Sequence, residues 1–149
     1  MAFRFRLQRV LDLRARVEQD AARALASAQE AAATARAELA AIEAVRAELA
    51  ATANPGAGHS VGTLRTVGFL LGRMDEQVVV AEASTAAAER TANERRDVLQ
   101  LAWRDRRTLD RLRERHHDAW KGAEAALDRQ TMDEVALARF TQDGAAPRE

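Results

Sequence analysis

Asn54-Pro55-Gly56-Ala57-Gly58-His59-Ser60-Val61-Gly62 is the one stretch that interrupts an otherwise helix-forming chain. It holds one of the two prolines and three of the seven glycines. Pro55 has no backbone N–H to give a helix, and Gly56, Gly58 and Gly62 each penalise helical backbone, so the stretch reads as a turn or short loop. Ser60 or Thr63 is placed to cap the helix that follows. Pro147, the second proline, lies in a polar tail from about Asp143 that is expected to fray. Two helices joined by a short loop fold back antiparallel. The predicted fold is therefore all-α, an antiparallel two-helix coiled-coil hairpin forming one domain over 1–142. Its helices run over about 4–53 and about 63–141, its loop over about 54–62, and a disordered tail follows over 143–149.

Outward from the break, heptad spacing supports this reading. Before it, steps of three and four give Leu7, Val10, Arg14, Val17, Ala21, Ala24, Ala28, Ala31, Ala35, Glu38, Ile42, Val45 and Leu49. Eleven of these 13 are apolar, which places one apolar seam along a helix. Leu39 beside Glu38 signals a small drift of that stripe. The middle of the seam is almost all alanine, so a partner backbone must approach closely there while burying little area per residue. After the break the seam reads Leu64, Val67, Leu71, Met74, Val78 and Ala81. It weakens through Thr85, Ala88, Ala92 and Arg95, then resumes at Leu99, Ala102, Leu109 and Leu112, with Trp103 and Trp120 nearby. Gly68 and Gly72 each cost about 1 kcal/mol against alanine, so fraying or a kink is expected early in this helix. At 1.5 Å per residue the helices would span about 70 Å and about 115 Å, and the second would overhang the first.

Composition narrows the function. Lys+Arg and Asp+Glu both total 23 in 149 residues, a balance that argues against bulk electrostatic capture of nucleic acid. Alanine supplies 35 residues and aromatics only 4%, too few large side chains for the core of a compact enzyme. With no cysteine, neither a disulfide framework nor a thiolate metal site is open. No stretch approaches 18 apolar residues, and the charged first 20 residues lack the apolar middle of a signal peptide, so a cytoplasmic location is expected.

Few residues are arranged for chemistry. His116 and His117 are adjacent and point about 100° apart on a helix, whereas a helical metal pair sits at i and i+4; no metal or cofactor is expected. Gly56-x-Gly58 follows a helix rather than a strand and lacks a Gly-Lys-Ser/Thr, so it reads as a hinge, not a phosphate loop. The run Arg104 to Arg115 (RDRRTLDRLRER) holds six arginines against three acids. It reads as a solvated coiled-coil face of alternating charges or as a patch for an acidic protein partner. The opening MAFRFRLQRVLDLR suits either a membrane surface or a protein-docking end, because Phe3, Phe5 and Leu7 are expected to project beyond the seam.

The chain resembles the FliJ family, small coiled-coil components of the bacterial flagellar type III export apparatus. The resemblance rests on Phe3-x-Phe5-Arg6-Leu7-Gln8-x-Val10-Leu11-x-Leu13-Arg14, on Trp103-Arg104-x-Arg106-Arg107-x-Leu109, on Met132-Asp133-Glu134-x-Ala136-x-x-Arg139 and on the mid-chain loop, so it covers essentially the whole length. The high alanine content of the first helix departs from it. The resemblance implies a non-enzymatic antiparallel coiled coil, similar to the hairpin of the rotary ATP synthase stalk subunit. It implies that the end holding both termini enters the pore of a hexameric export ATPase, through Phe5, Leu7, Leu11 and the helix from Trp120 through Leu127 to Phe140. It further implies binding to an export-gate membrane protein through Ile42, Val45, Leu49, Leu70 and Met74, and escort of export chaperones. Each of these residues can equally be ordinary seam packing. The implied location is the cytoplasm, peripherally at the inner membrane. Alternatives are the equivalent stalk of a virulence-type secretion system and a peripheral membrane protein anchored by an N-terminal amphipathic helix.

Overall fold

The structure, a computed structural model, describes residues 2–53, 58 and 60–143. The described chain is all-α. Helix α1 covers Gln8–Thr52 (45 residues) and helix α2 covers Val61–Asp143 (83 residues), so the second helix is the longer, as expected. Pro55, Gly56 and His59 of the expected loop, and the tail beyond Asp143, lie outside the described residues. Ser60 caps α2: its Oγ accepts from the Thr63 amide at 3.2 Å, and its carbonyl accepts the first helical bond from Leu64 at 3.1 Å. Gly58 adopts φ 69°, the left-handed region that a side chain disfavours. Helix α2 is continuous through Gly68 and Gly72, so the expected fraying is not seen there.

Packing divides the chain into two compact units, Met1–Ala15 with Arg104–Glu149, and Arg16–Trp103. Within the second unit the helices run antiparallel. Arg36 Nε donates to Glu89 Oε1 at 2.9 Å, and Arg46 Nε donates to Asp75 Oδ1 nearer the loop. These exposed ion pairs are worth about 0–1 kcal/mol each and mark the register more than they stabilise it. In the terminal unit Arg14 Nη1 lies 3.0 Å from Asp105 Oδ2, and the pairing is again antiparallel.

Along α2 the seam follows the expected spacing. Val67, Leu71, Met74, Val78, Ala81, Ala88 and Leu99 are half-buried, and Thr85, Ala92 and Ala102 are buried. Thr85 is a buried hydroxyl without penalty, since its Oγ1 donates to the Ala81 carbonyl at 2.9 Å. Leu64 and Arg95 are exposed.

Along α1 half of the expected seam is corrected. Ala21, Ala28, Ala35, Ile42 and Leu49 face inward as predicted, but Val10, Val17 and Val45 are 42%, 41% and 53% exposed. Glu38 and Ala31 are exposed too. The second row of the seam lies one residue on, at Leu11, Glu18, Leu25, Ala32 and Leu39, with Arg46 following in register and paired to Asp75. Counting apolar residues favours the valine row. Leucine wins by size, each burying about one methylene more than valine at about 0.8 kcal/mol. Glu18 is half-buried in that row with its Oε2 out of water, and Arg46 is exposed. At the centre Ala32 is 1% exposed, and among the described residues no large side chain is fully buried.

Helix α1 begins at Gln8 rather than near residue 4. The segment before it is non-helical and lies along α2. Phe3 and Phe5, two residues apart in it, both reach rings of the second helix. Phe5 is buried and Phe3 half-buried, so neither projects as the sequence suggested; Leu7 remains partly exposed.

Candidate functional site

Two surfaces carry the sequence-predicted residues, one in each unit. In the Arg16–Trp103 unit a groove of about 450 Å³ is lined by Glu38 and Ile42 of α1 and by Arg73, Glu76, Gln77, Val80, Ala81 and Ser84 of α2. Phe69, Leu70, Arg73, Gln77 and Val80 recur at three- and four-residue spacing, so they share one face of α2. Of the five residues expected here, Val45 and Leu70 are exposed, whereas Ile42, Leu49 and Met74 are half-buried in the seam. Ordinary seam packing therefore holds for Ile42, Leu49 and Met74 but not for Val45 and Leu70, which lie outside the seam; Leu71, beside Leu70, sits in it. Sequence reasoning passed over Phe69 and Val80, which are 69% and 70% exposed. Their signal was a large apolar side chain out of step with the heptad, which has no packing reason to be there.

The terminal unit holds an aromatic cluster. Phe3 meets His117 edge-on at 5.2 Å and Trp120 at 5.9 Å, Phe5 meets His116 edge-on at 5.9 Å, and His117 lies 6.0 Å from Trp120. Such ring pairs add about 0.5–1.5 kcal/mol beyond their buried area. Here they fix the N-terminal segment onto α2. Among the residues expected at this end, Phe5 and Leu11 are buried and Trp120 half-buried, while Leu127 and Phe140 are exposed on the later part of α2. From Lys121 to Phe140 every residue except Glu124 is exposed.

The two adjacent histidines are engaged with phenylalanines, and no group of three or more His, Cys, Asp or Glu capable of holding a metal occurs among the described residues. No helix among them is long and apolar enough to cross a membrane. What the chain offers is contact surface, on a two-helix scaffold whose sequence matches the family model described as flagellar FliJ protein over residues 3–145. The chain belongs to the FliJ family. No curated protein and no solved structure matches it. Membership makes it a protein related to flagellar type III export, from a family of structural export components. The FliJ match includes both the Phe3–Phe5 segment and the Phe69–Val80 face.

Proposed function

We propose that this FliJ-family chain is a non-enzymatic, stalk-like coiled coil that couples the hexameric export ATPase to the export gate and escorts export chaperones. It does so in the cytoplasm, peripherally at the inner membrane. The observation that carries this reading is a chain of a flagellar export family with two separate contact surfaces. The gate would dock at the loop-proximal groove through Val80 on its wall and through the exposed Phe69, Leu70 and Val45 outside it, apolar side chains left free by the seam, while Ile42, Leu49 and Met74 are half-buried in the seam. The ATPase would take the terminal unit, through Leu7, Leu127 and Phe140 at the surface and Phe5, Leu11 and Trp120 holding the shape.

A stalk that biases the ATPase toward its assembled state would raise turnover without hydrolysing ATP itself. The test is co-sedimentation of the purified chain with the cognate hexameric ATPase, with ATP turnover measured with and without it. Binding together with stimulated turnover supports the coupling; intrinsic hydrolysis by the chain, or no association with the hexamer, removes it. Burial of Phe5 weighs against anchoring by an N-terminal membrane helix, since that aromatic is spent on α2 rather than free to enter a bilayer.

A further inference from the structure

The formal neutrality of the chain hides a local excess of positive charge. Residues 1–15 and 104–120, packed together in the terminal unit, carry ten arginines against five carboxylates. The N-terminal segment and α2 enclose a groove of about 770 Å³ between them, lined by Phe3, Arg4, Phe5, Arg6, Gln8, Arg9, Arg113, Glu114 and His117. Arg4, Arg6, Arg9 and Arg113 are all exposed, and none of them makes an ion pair among the described residues. Glu114, the one carboxylate on the wall, already faces Arg107 at 3.9 Å. Nearby acids are likewise engaged: Asp105 with Arg14 at 3.0 Å, and Asp110 with Arg106 at 3.4 Å.

Four guanidinium groups gathered around one concavity repel one another until an anion enters. Guanidinium forks match carboxylates bidentately, and such charge-assisted bonds are about twice as strong as neutral ones. The ring contacts of Phe3 and Phe5 with His117, Trp120 and His116 hold the arginine-bearing segment in place before any ligand arrives, which lowers the ordering cost of binding. We infer that this groove is a docking site for an acidic polypeptide segment, rich in Asp and Glu, of a partner protein.

The shape selects this occupant. A bilayer is flat and would touch only the rim of a concave groove, and Phe5, one of the aromatics lining it, is buried. A nucleic acid needs a continuous phosphate track, and the acids Asp105, Asp110, Glu114 and Asp118 interrupt the arginines along α2. The inference stands on the groove alone and holds whether or not the export ATPase is the partner.

The experiment titrates the full chain with a fluorescein-labelled peptide of about 12 residues, alternating Asp and Glu, followed by anisotropy at about 50 mM and about 300 mM salt. Binding should be present at low salt and weaken at high salt, as exposed charge pairs do. The double variant Arg6→Gln/Arg113→Gln should bind about tenfold more weakly, the equivalent of about 1.4 kcal/mol. Arg90→Gln/Arg95→Gln, in the other unit, should bind as the parent does. Circular dichroism of both variants checks that helicity is kept; if the groove variant loses helicity, Arg4→Gln/Arg9→Gln, at two exposed positions, takes its place. A thymidine oligonucleotide of matched charge and phosphatidylglycerol vesicles complete the set. No peptide binding at low salt, equal loss in the two double variants, or tighter binding of the oligonucleotide or vesicles overturns the inference. Failure of the ATPase co-sedimentation with intact peptide binding would overturn the stalk reading and leave this one standing.

Discussion

At the residue scale, the difference between Val10 and Leu11 is the sharpest consequence of the seam. They are neighbours of similar hydrophobicity, yet Leu11 is 5% exposed and Val10 42%. Truncating a buried leucine to alanine costs about 2–5 kcal/mol, whereas an exposed position stays within about 0.5 kcal/mol. Leu11→Ala is therefore expected to lower the midpoint of thermal unfolding by several degrees, and Val10→Ala to leave it unchanged. Parallel melts of the two variants check the register directly; equal losses would return both valine and leucine rows to the seam. Ala32 gives the converse case. Its methyl is enclosed at the alanine-rich crossing, and Ala32→Leu would force side chains that have no room, at a cost of about 1–3 kcal/mol. A stabilised Ala32→Leu protein would show the helices to be more loosely packed than this.

At the element scale, the glycines of α2 separate what helix propensity demands from what packing demands. A methyl added at Gly68 or at Gly72 would meet nothing within 4 Å, and both residues lie inside a regular helix. Gly68→Ala and Gly72→Ala are each expected to stabilise by about 1 kcal/mol, read as a rise in the denaturant midpoint with unchanged slope. A loss of stability at either site would mean that the position serves a bend. The same elements show how much was legible in the sequence. The single break, two helices, a cap at Ser60 or Thr63 and nearly every seam position of α2 followed from residue types, because Val67, Leu71, Met74 and Val78 leave no competing stripe. In α1 alanine dilutes the pattern, so two rows one residue apart were nearly equal in apolar count, and only cross-helix packing of Leu11, Leu25 and Leu39 separates them. The N-terminal segment was legible in composition but not in placement. Phe3 and Phe5 look like helix residues until the histidines and Trp120 of α2, more than a hundred positions away in sequence, are brought alongside. The candidate surfaces were half legible for the same reason: Val45 and Leu70 were named as docking residues, yet Phe69 and Val80 are recognisable only once the seam is fixed and they prove to be outside it.

At the scale of the whole molecule, the proposed function asks two surfaces to work separately on one chain. The loop-proximal groove and the terminal unit share no residue. Substitutions at well-separated sites without common partners act additively, so each surface should be open to removal without loss of the other. Val80→Asp puts a charge on a side chain that is already in water, and it should keep helicity and melting temperature while reducing gate-domain affinity at least about tenfold, as expected for a charge in the apolar centre of an interface. Its association with the hexameric ATPase should match that of the parent. Met74→Asp differs, because Met74 is half-buried in the seam. That variant should melt earlier, and its gate affinity should fall in step with its folded fraction rather than beyond it. Calorimetric titration with the gate domain, thermal melts and ATPase co-sedimentation on the same two proteins distinguish these outcomes. Full gate affinity in a stably folded Val80→Asp would take the loop-proximal groove out of the proposed site. Loss of both partners in that variant, with its fold intact, would instead make the two surfaces a single coupled one.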